Sequence, residues 1–212
     1  MKKIIIASNI IYLCLLLFHS CIHDAQTEFN SGPYLFDPPN TKLMWTAYKY
    51  SSKLGVSGIL SEIVFNPVIK TFKEQKDIHT IFFDFAFESE LNFNDEETNS
   101  VRNQNIQNFF FDKLESKKIS GIVISKNGSE TEGNLSIELI FNGVKKIVPA
   151  KYTIINNTIE LSCSLHLQDF DAMDALSTLH DHVLDLHKGP DGISITWPDV
   201  DIKVVSILSV KQ

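Results

Sequence analysis

The feature that most constrains the fold is a hairpin in the middle of the chain, GNLSIELIFNGVKKIVPAKYTI, which starts at Gly133. Apolar residues at every second position before the turn are typical of a strand with one buried face. Asn142-Gly143 predicts a type I′ turn, because both central residues need a positive φ, which Asn tolerates and Gly adopts freely. A two-residue turn fixes the facing pairs, which are Phe141 with Val144, Leu139 with Lys146, Ile137 with Val148 and Leu135 with Ala150.

Lys146 is the one charged residue on the otherwise apolar side of this hairpin, and it lies close to the turn. An unpaired ammonium is costly on an apolar surface, so Lys146 either extends to water or meets an anionic partner. A phosphate or carboxylate head group of a bound amphipathic ligand would be such a partner. Pairing with a local acid near Glu138 is the alternative.

Strand patterns also precede and follow the hairpin. In IHTIFFDFAFE, Phe83 and Phe85 share a predicted face with their apolar neighbours, and TIELSCSLHL places Cys163 on a similar face. Between the last two strands, QDFDAMDALSTLHDHVLDLHKGPDG has apolar residues at helical spacing, with Asp169 or Asp171 as a cap and Gly189 at the end. The series predicts an all-β fold, an antiparallel barrel of about eight strands with one amphipathic helix before the last strand. A two-sheet sandwich is the alternative.

The N-terminus has the pattern of an export signal, residues 1–20, with two lysines, an apolar run of about 15 residues and Ser20 before Cys21. As a helix that run is roughly 22 Å long, which is short for a bilayer core of about 30 Å. The segment LLLFHSC resembles a bacterial lipoprotein signal, which implies that Cys21 becomes the acylated first residue. A plain secretory signal with a chance cysteine is the alternative. Residues 21–40 lack periodicity and read as a tether, and residues 41–212 form one domain.

Charge and cysteine content exclude several classes of function. The formal net charge is −7, and removal of the signal takes away Lys2 and Lys3 but no acid, so the mature chain is more acidic still. An acidic surface repels nucleic acid. With Cys14 in the signal and Cys21 acylated, Cys163 is left alone, so we expect no intrachain disulfide and a buried, inert thiol.

Several motifs in one order resemble the YceI-like, polyisoprenoid-binding family: WTAYK, GVSG, SVRNQNIQNFFFDK, ISG and GNLSIELIFNGVKKIV. The matching positions are Trp45, Gly58, Arg102, Gly143-Val144 and Lys146, and the resemblance runs from about Trp45 to the C-terminus. Two departures stand out. Asn103 replaces the acid that usually follows the family's arginine, and LNFNDEETNS differs from the family's acid- and proline-rich link.

The resemblance implies a lipocalin-like barrel on the periplasmic side of a bacterial membrane. Such a barrel holds an isoprenoid or another long-chain lipid in an apolar interior, without catalysis and without a cofactor. Combined with the strand patterns, it predicts a ligand site formed by eight residues, which are Leu135, Ile137, Leu139, Phe141, Lys146, Phe83, Phe85 and Arg102. A fully packed interior is the alternative.

Two other functions remain open from the sequence. His180 and His187 are seven residues apart on the predicted helix, and with Asp191 they would form a metal set for an enzyme. No H-E-x-x-H or paired Cys-x-x-Cys pattern accompanies them. An anchored scaffold that binds another protein is the third hypothesis.

Overall fold

The structure is a computed structural model that describes residues 34–60, 63–65, 80–91 and 100–210. Its main feature is a nine-stranded antiparallel sheet, curled into a half-barrel, with a separate two-stranded pair. The prediction of an all-β, antiparallel lipocalin-like fold is confirmed, and the sandwich is wrong, because the long strands belong to one continuous sheet. The predicted signal, Cys21 and most of the tether lie outside the described residues. In the part of the chain that is described, no helix has the length and apolar character needed to cross a membrane.

Eleven strands are described. In chain order they are β1 (Tyr34–Leu35), β2 (Thr41–Lys49), β3 (Leu54–Leu60), β4 (Val64–Phe65), β5 (Ala86–Glu90), β6 (Lys118–Gly128), β7 (Glu132–Phe141), β8 (Val144–Ile155), β9 (Thr158–His166), β10 (Thr196–Ile207) and β11 (Ser209–Val210). The main sheet has the order β3-β2-β10-β9-β8-β7-β6-β5-β4, and β1 pairs with β11. From β4 to β9 each strand neighbours the next in sequence. After β9 the chain returns through a helix, and β10 pairs with both β9 and β2.

The central hairpin has the predicted turn and register. Asn142 and Gly143 have φ values of 51° and 76°, as a type I′ turn requires. All four predicted pairs occur between β7 and β8. The alternation therefore fixes correctly which side chains of this hairpin face inward.

The predicted strand over Thr80 to Glu88 is partly wrong. A 3-10 helix occupies Ile81–Asp84, and β5 begins after it, at Ala86. Because a 3-10 helix repeats every three residues, Phe82 and Phe85 turn inward together and are buried, whereas Phe83 is 45% exposed. Alternation over IFFDF therefore assigned Phe83 to the wrong side.

Two α-helices of the described residues lie beside the sheet. The predicted amphipathic helix before the last long strand is α2 (Met173–His182), but it is shorter than expected at both ends. Its N-cap is Ala172 instead of an aspartate, because residues 167–170 form a separate 3-10 turn. The other helix is α1 (Ser100–Phe109), which lies between β5 and β6 in the chain. The two helices contact each other through the stacked rings of Phe109 and His182, whose centroids are 3.5 Å apart.

Apolar side chains form two clusters that occupy opposite ends of the long strands. Along β7, Leu135 belongs to the first cluster, whereas Leu139 and Phe141 belong to the second. Along β9 the order reverses with the strand direction, from Ile159 in the first cluster to Leu165 in the second. We call the first the packed end and the second the helix end, because α2 contributes to it.

Candidate ligand cavity

A cavity of about 1020 Å³ lies mainly at the helix end of the half-barrel, and it reaches Ala150 and Leu161 of the packed end. Its walls come from the sheet and from the α1 and α2 regions, and most of the lining side chains are apolar. Strand residues that line it include Leu43, Trp45, Ala47, Val56, Phe87, Val148, Leu161, Val200, Ile202 and Val204, and helix residues include Val101, Ile106, Leu176 and Leu179. This volume is at the upper end of the roughly 300–1,000 Å³ that small-molecule sites occupy. The interior is therefore hollow at this end.

Simple alternation brings the strand residues to the cavity. Leu43, Trp45, Ala47 and Lys49 are every second residue of β2, and all four line the walls. On α1, Val101, Arg102, Asn105 and Ile106 have the spacing of one helical face. A strand face and a helix face thus enclose the same space.

Half of the predicted site residues line this cavity. They are Ile137, Leu139 and Phe141 on β7 and Arg102 on α1. The three β7 residues lie there because the hairpin register is as predicted.

The structure places the other four predicted residues elsewhere. Leu135 and Phe85 are buried in the packed end, and Phe83 is exposed after the 3-10 turn. Lys146 faces Leu139 across the hairpin as predicted, but its side chain is exposed and is not among the lining residues. None of these four residues lines the cavity, and Lys146 follows the alternative in which it extends to water.

Arg102 is held by the protein around it. Its Nη1 donates to the backbone oxygen of Ser57 at 3.0 Å, and its Nε and Nη2 donate to Asn103 Oδ1 at 3.3 and 3.2 Å. The guanidinium carbon lies 5.5 Å from the centroid of the Trp45 ring. These contacts tie α1 to the edge strand β3, so Arg102 stabilises the wall that it lines.

A small group of polar residues occupies one region of the otherwise apolar wall: Lys49, Thr196 and His187. Thr196 is the cross-strand partner of Lys49 in the β2–β10 pairing. The Thr196 hydroxyl contacts His187 Nδ1 at 2.6 Å and His180 Nδ1 at 3.0 Å. Burial, followed by the neighbouring Lys49 and His180, lowers the pKa of His187 to about 4. His187 is therefore a neutral imidazole at pH 7.

An irregularity in β10 positions this group. Between Thr196 and Val200 the register with β2 shifts, since four steps along β10 match two steps along β2, from Lys49 to Ala47. Such a bulge redirects side chains locally, and here Thr196 and its neighbour Trp197 both line the cavity. The Trp197 indole donates to the Tyr50 backbone oxygen at 2.7 Å, which fixes the bulge against the β2–β3 turn.

Cys163 also lines the cavity, midway along β9. Burial raises the pKa of the Cys163 thiol to about 11, with a smaller contribution from Asp201. The thiol is protonated at neutral pH and is a poor nucleophile. This pKa agrees with the expected low reactivity, whereas the residue is half-buried instead of fully buried.

Asn142, a turn residue of the central hairpin, joins the sheet to the segments that precede and follow the helices. Its Oδ1 accepts from the backbone N–H groups of Glu115 and Ser116 at 2.7 and 3.3 Å. Its Nδ2 donates to the backbone oxygens of Phe170 and Asp171, both at 3.1 Å. The residue is buried, so these hydrogen bonds satisfy groups that water does not reach.

The predicted metal set does not assemble. His180 and His187 do meet, through the shared hydroxyl of Thr196, but the Asp191 carboxylate accepts from the Ser51 hydroxyl and from the Ile193 N–H at 3.0 Å. Within the described residues, no three His, Cys, Asp or Glu side chains are grouped in a way that would hold a metal ion.

No family model matches the chain, and no curated protein matches it. Among solved structures, Burkholderia cenocepacia BcnA is 11% identical over 82% of this chain and 99% of its own, with a TM-score of 0.49. Two mutants of the CJ YceI protein, one with a monobromobimane guest, are each 16% identical over 72% of this chain and 81% of their own, with TM-scores of 0.37 and 0.36. YceI structures are thus among those similar to this chain, as the sequence resemblance predicted.

Proposed function

We propose that this protein binds an amphipathic isoprenoid or another long-chain lipid, and that the cavity at the helix end holds its hydrocarbon chain. The observation that carries the proposal is an apolar space of about 1020 Å³ on the inner face of the sheet. Flexible hydrocarbon is the ligand class that such walls favour, because binding removes apolar surface from water on both sides.

The energy available is sufficient for binding. Each buried CH₂ group contributes about 0.8 kcal/mol, so a chain of roughly ten carbons gains about 8 kcal/mol before the costs of association. Those costs are several kcal/mol, which means that the longest chain the cavity admits binds best. The protein acts as a holder of the ligand, with no chemical step.

A chain-length series tests this function. Fatty alcohols of increasing length should displace a fluorescent apolar probe from the protein with increasing affinity, until the cavity is full. Leu139→Trp, which places a larger side chain in the cavity, should reduce binding of the longest alcohols while the fold is retained. Equal affinities at all lengths, or binding unchanged in Leu139→Trp, would contradict the proposal.

We also propose that the protein is exported and anchored by acylation of Cys21, on the periplasmic side of a bacterial membrane. The support is the N-terminal pattern of two lysines, an apolar run and Ser20-Cys21. A tether of about twenty residues would let the domain reach ligand in the same membrane. Cys21→Ser should move the protein from the membrane fraction to the soluble periplasm, and a variant that stays membrane-bound would remove the anchor from the account.

A further inference from the structure

We propose that Lys49, Thr196 and His187 form the site for the anionic head group, a carboxylate or a phosphate, of the amphipathic ligand. The inference rests on the proposed function, because it supplies the polar end of a ligand whose chain occupies the cavity. It replaces Lys146, which the sequence indicated for this role and which lies exposed outside the cavity walls.

Lys49 is a cation in the cavity wall whose charge would be stabilised by an anionic ligand. It lines the cavity, it is partly buried, and its ammonium lies over the Tyr50 ring, 4.6 Å from the centroid. No carboxylate within the described residues pairs with it. Other lysines differ: Lys53 pairs with Asp199 at 2.8 Å and Lys145 with Glu138 at 2.7 Å. A charge beside an apolar space is costly until an anion meets it, so an anionic ligand gains affinity at this point.

His187 supplies a neutral donor beside that charge, and Thr196 positions its imidazole. The Thr196 hydroxyl has a single proton but contacts Nδ1 of both His187 and His180, so at least one imidazole must donate from Nδ1. When Thr196 donates to His187, Nε2 of His187 carries the proton, and this N–H has no hydrogen-bond acceptor within the described part of the chain. Thr196 itself is adjacent to Lys49 across the strands. Lys49 and the Nε2–H of His187 can thus approach one anion together, and Thr196 is the positioning residue that holds the imidazole.

Arg102 is the rival cation in the wall. Its guanidinium already donates to Ser57 and Asn103 and lies over Trp45, so its donors are committed to the protein. The geometry therefore favours Lys49.

The test uses three ligands with the same hydrocarbon chain: hexadecanol, hexadecanoate and hexadecyl phosphate. All variants are made in the full chain with Cys21→Ser as the common background, and dissociation constants are compared. We expect the protein to bind the two anions about tenfold or more tightly than the alcohol, as a charge-assisted hydrogen bond provides. Lys49→Met should abolish that preference, so that the two anions bind no more tightly than hexadecanol. The relative affinity of carboxylate and phosphate then identifies the preferred head group.

Lys146→Met is the matched control, because it removes the same charge from outside the cavity, and it should keep the preference. Lys49→Arg keeps the positive charge and should retain most of the preference for anions. Thr196→Val, of nearly equal volume, should weaken that preference several-fold, and it tests the site whether or not Lys49→Met folds. Equal binding of alcohol and anions by the unmutated site, or loss of the preference in Arg102→Met with retention in Lys49→Met, would overturn the inference. Failure of all three ligands to bind would instead overturn the proposed function.

Discussion

The packed end and the helix end of the half-barrel use similar side chains, yet one is filled and the other is hollow. At the packed end, aromatic rings meet from separate parts of the chain: Phe82 lies 4.6 Å from Tyr152 and Phe36 lies 4.6 Å from Phe85, measured between ring centroids. None of these four rings lines the cavity. At the helix end the inward strand residues are mostly aliphatic, and α1 and α2 stand across from them without filling the space.

The difference shows that the segments covering the sheet decide whether the interior is packed. Both ends have the same strand alternation, so alternation alone does not determine whether side chains fill the space. The packed end is filled by the 3-10 turn at Ile81–Asp84 and by the segment around β1, which bring large rings over the sheet. At the helix end, Asn142 bonds to the segment before α2 and Arg102 bonds α1 to β3. These hydrogen bonds lie at the edges of the covering helices, and the space between the helices and the sheet stays open. The packed end stabilises the fold, and the helix end is available for a ligand.

The largest expected effect is loss of a ring from the packed end. Phe82 is fully buried, so Phe82→Ala should lower the free energy of unfolding by about 3–5 kcal/mol, from lost burial and the cavity left behind. Phe111→Ala, at a half-buried ring that lines the existing cavity, should cost clearly less. Chemical denaturation of both variants measures this, and equal losses would remove the distinction between the ends.

A matched pair on β7 sharpens the comparison by adding volume. Leu135 and Leu139 are the same residue on the same face, 2% and 6% exposed, but only Leu139 lines the cavity. Leu135→Trp should overpack its surroundings and cost about 1–3 kcal/mol, whereas Leu139→Trp has space to occupy and should cost less. Thermal unfolding of the two variants checks the order, and a larger loss in Leu139→Trp would indicate a filled interior.

Loss of the Asn142 hydrogen bonds at the helix end should lower the free energy of unfolding by a smaller amount. Asn142→Gly keeps a residue suited to the φ of 51° but removes the hydrogen bonds to residues 115, 116, 170 and 171. We expect a loss of about 1–3 kcal/mol, because buried backbone groups lose their partner. Hydrogen exchange should quicken in the segments around residues 115 and 171 and stay unchanged at β1 and Tyr152. Uniform acceleration would show that the two ends are not independent.

The effect expected from His187 appears only as a pH dependence. Its pKa is lowered to about 4 in the fold, so the unfolded chain takes up the proton near pH 6.5 while the folded chain does not. Protonation thus favours the unfolded state, and this contribution to stability is present above about pH 6.5 and is lost as the pH falls toward 4. His187→Gln should flatten the fall in unfolding free energy over that range. A slope equal to that of the unmutated protein would contradict the assignment.

The sequence predicted the sheet well and the covering elements poorly. Period-two alternation and the Asn142-Gly143 turn depend on local backbone geometry, and for that reason the β7–β8 register and the inward residues Ile137, Leu139 and Phe141 were correct. Phe83 was misassigned because a run of apolar residues fits a 3-10 turn as well as a strand.

The contacts that matter at the site depend on distant residues. Lys146 has the position that its register predicts, but whether it reaches the interior depends on elements that sequence spacing does not place. On β2, Lys49 follows Leu43, Trp45 and Ala47 in the alternation of inward residues. Extending that alternation by one step would have predicted that Lys49 lines the cavity. Thr196 and His187 had no such signal, because a bulge and the loop after α2 bring them together.

The central claim is that the helix end holds a lipid, and extraction of the purified protein tests it most directly. The Cys21→Ser chain is produced in a bacterial periplasm, purified without detergent and extracted with organic solvent, and the extract is analysed by mass spectrometry beside that of Leu139→Trp. We expect a long-chain lipid in near-stoichiometric amount from the first protein and much less from the second. A folded protein that releases no lipid and takes up none on incubation with envelope lipids would contradict the account.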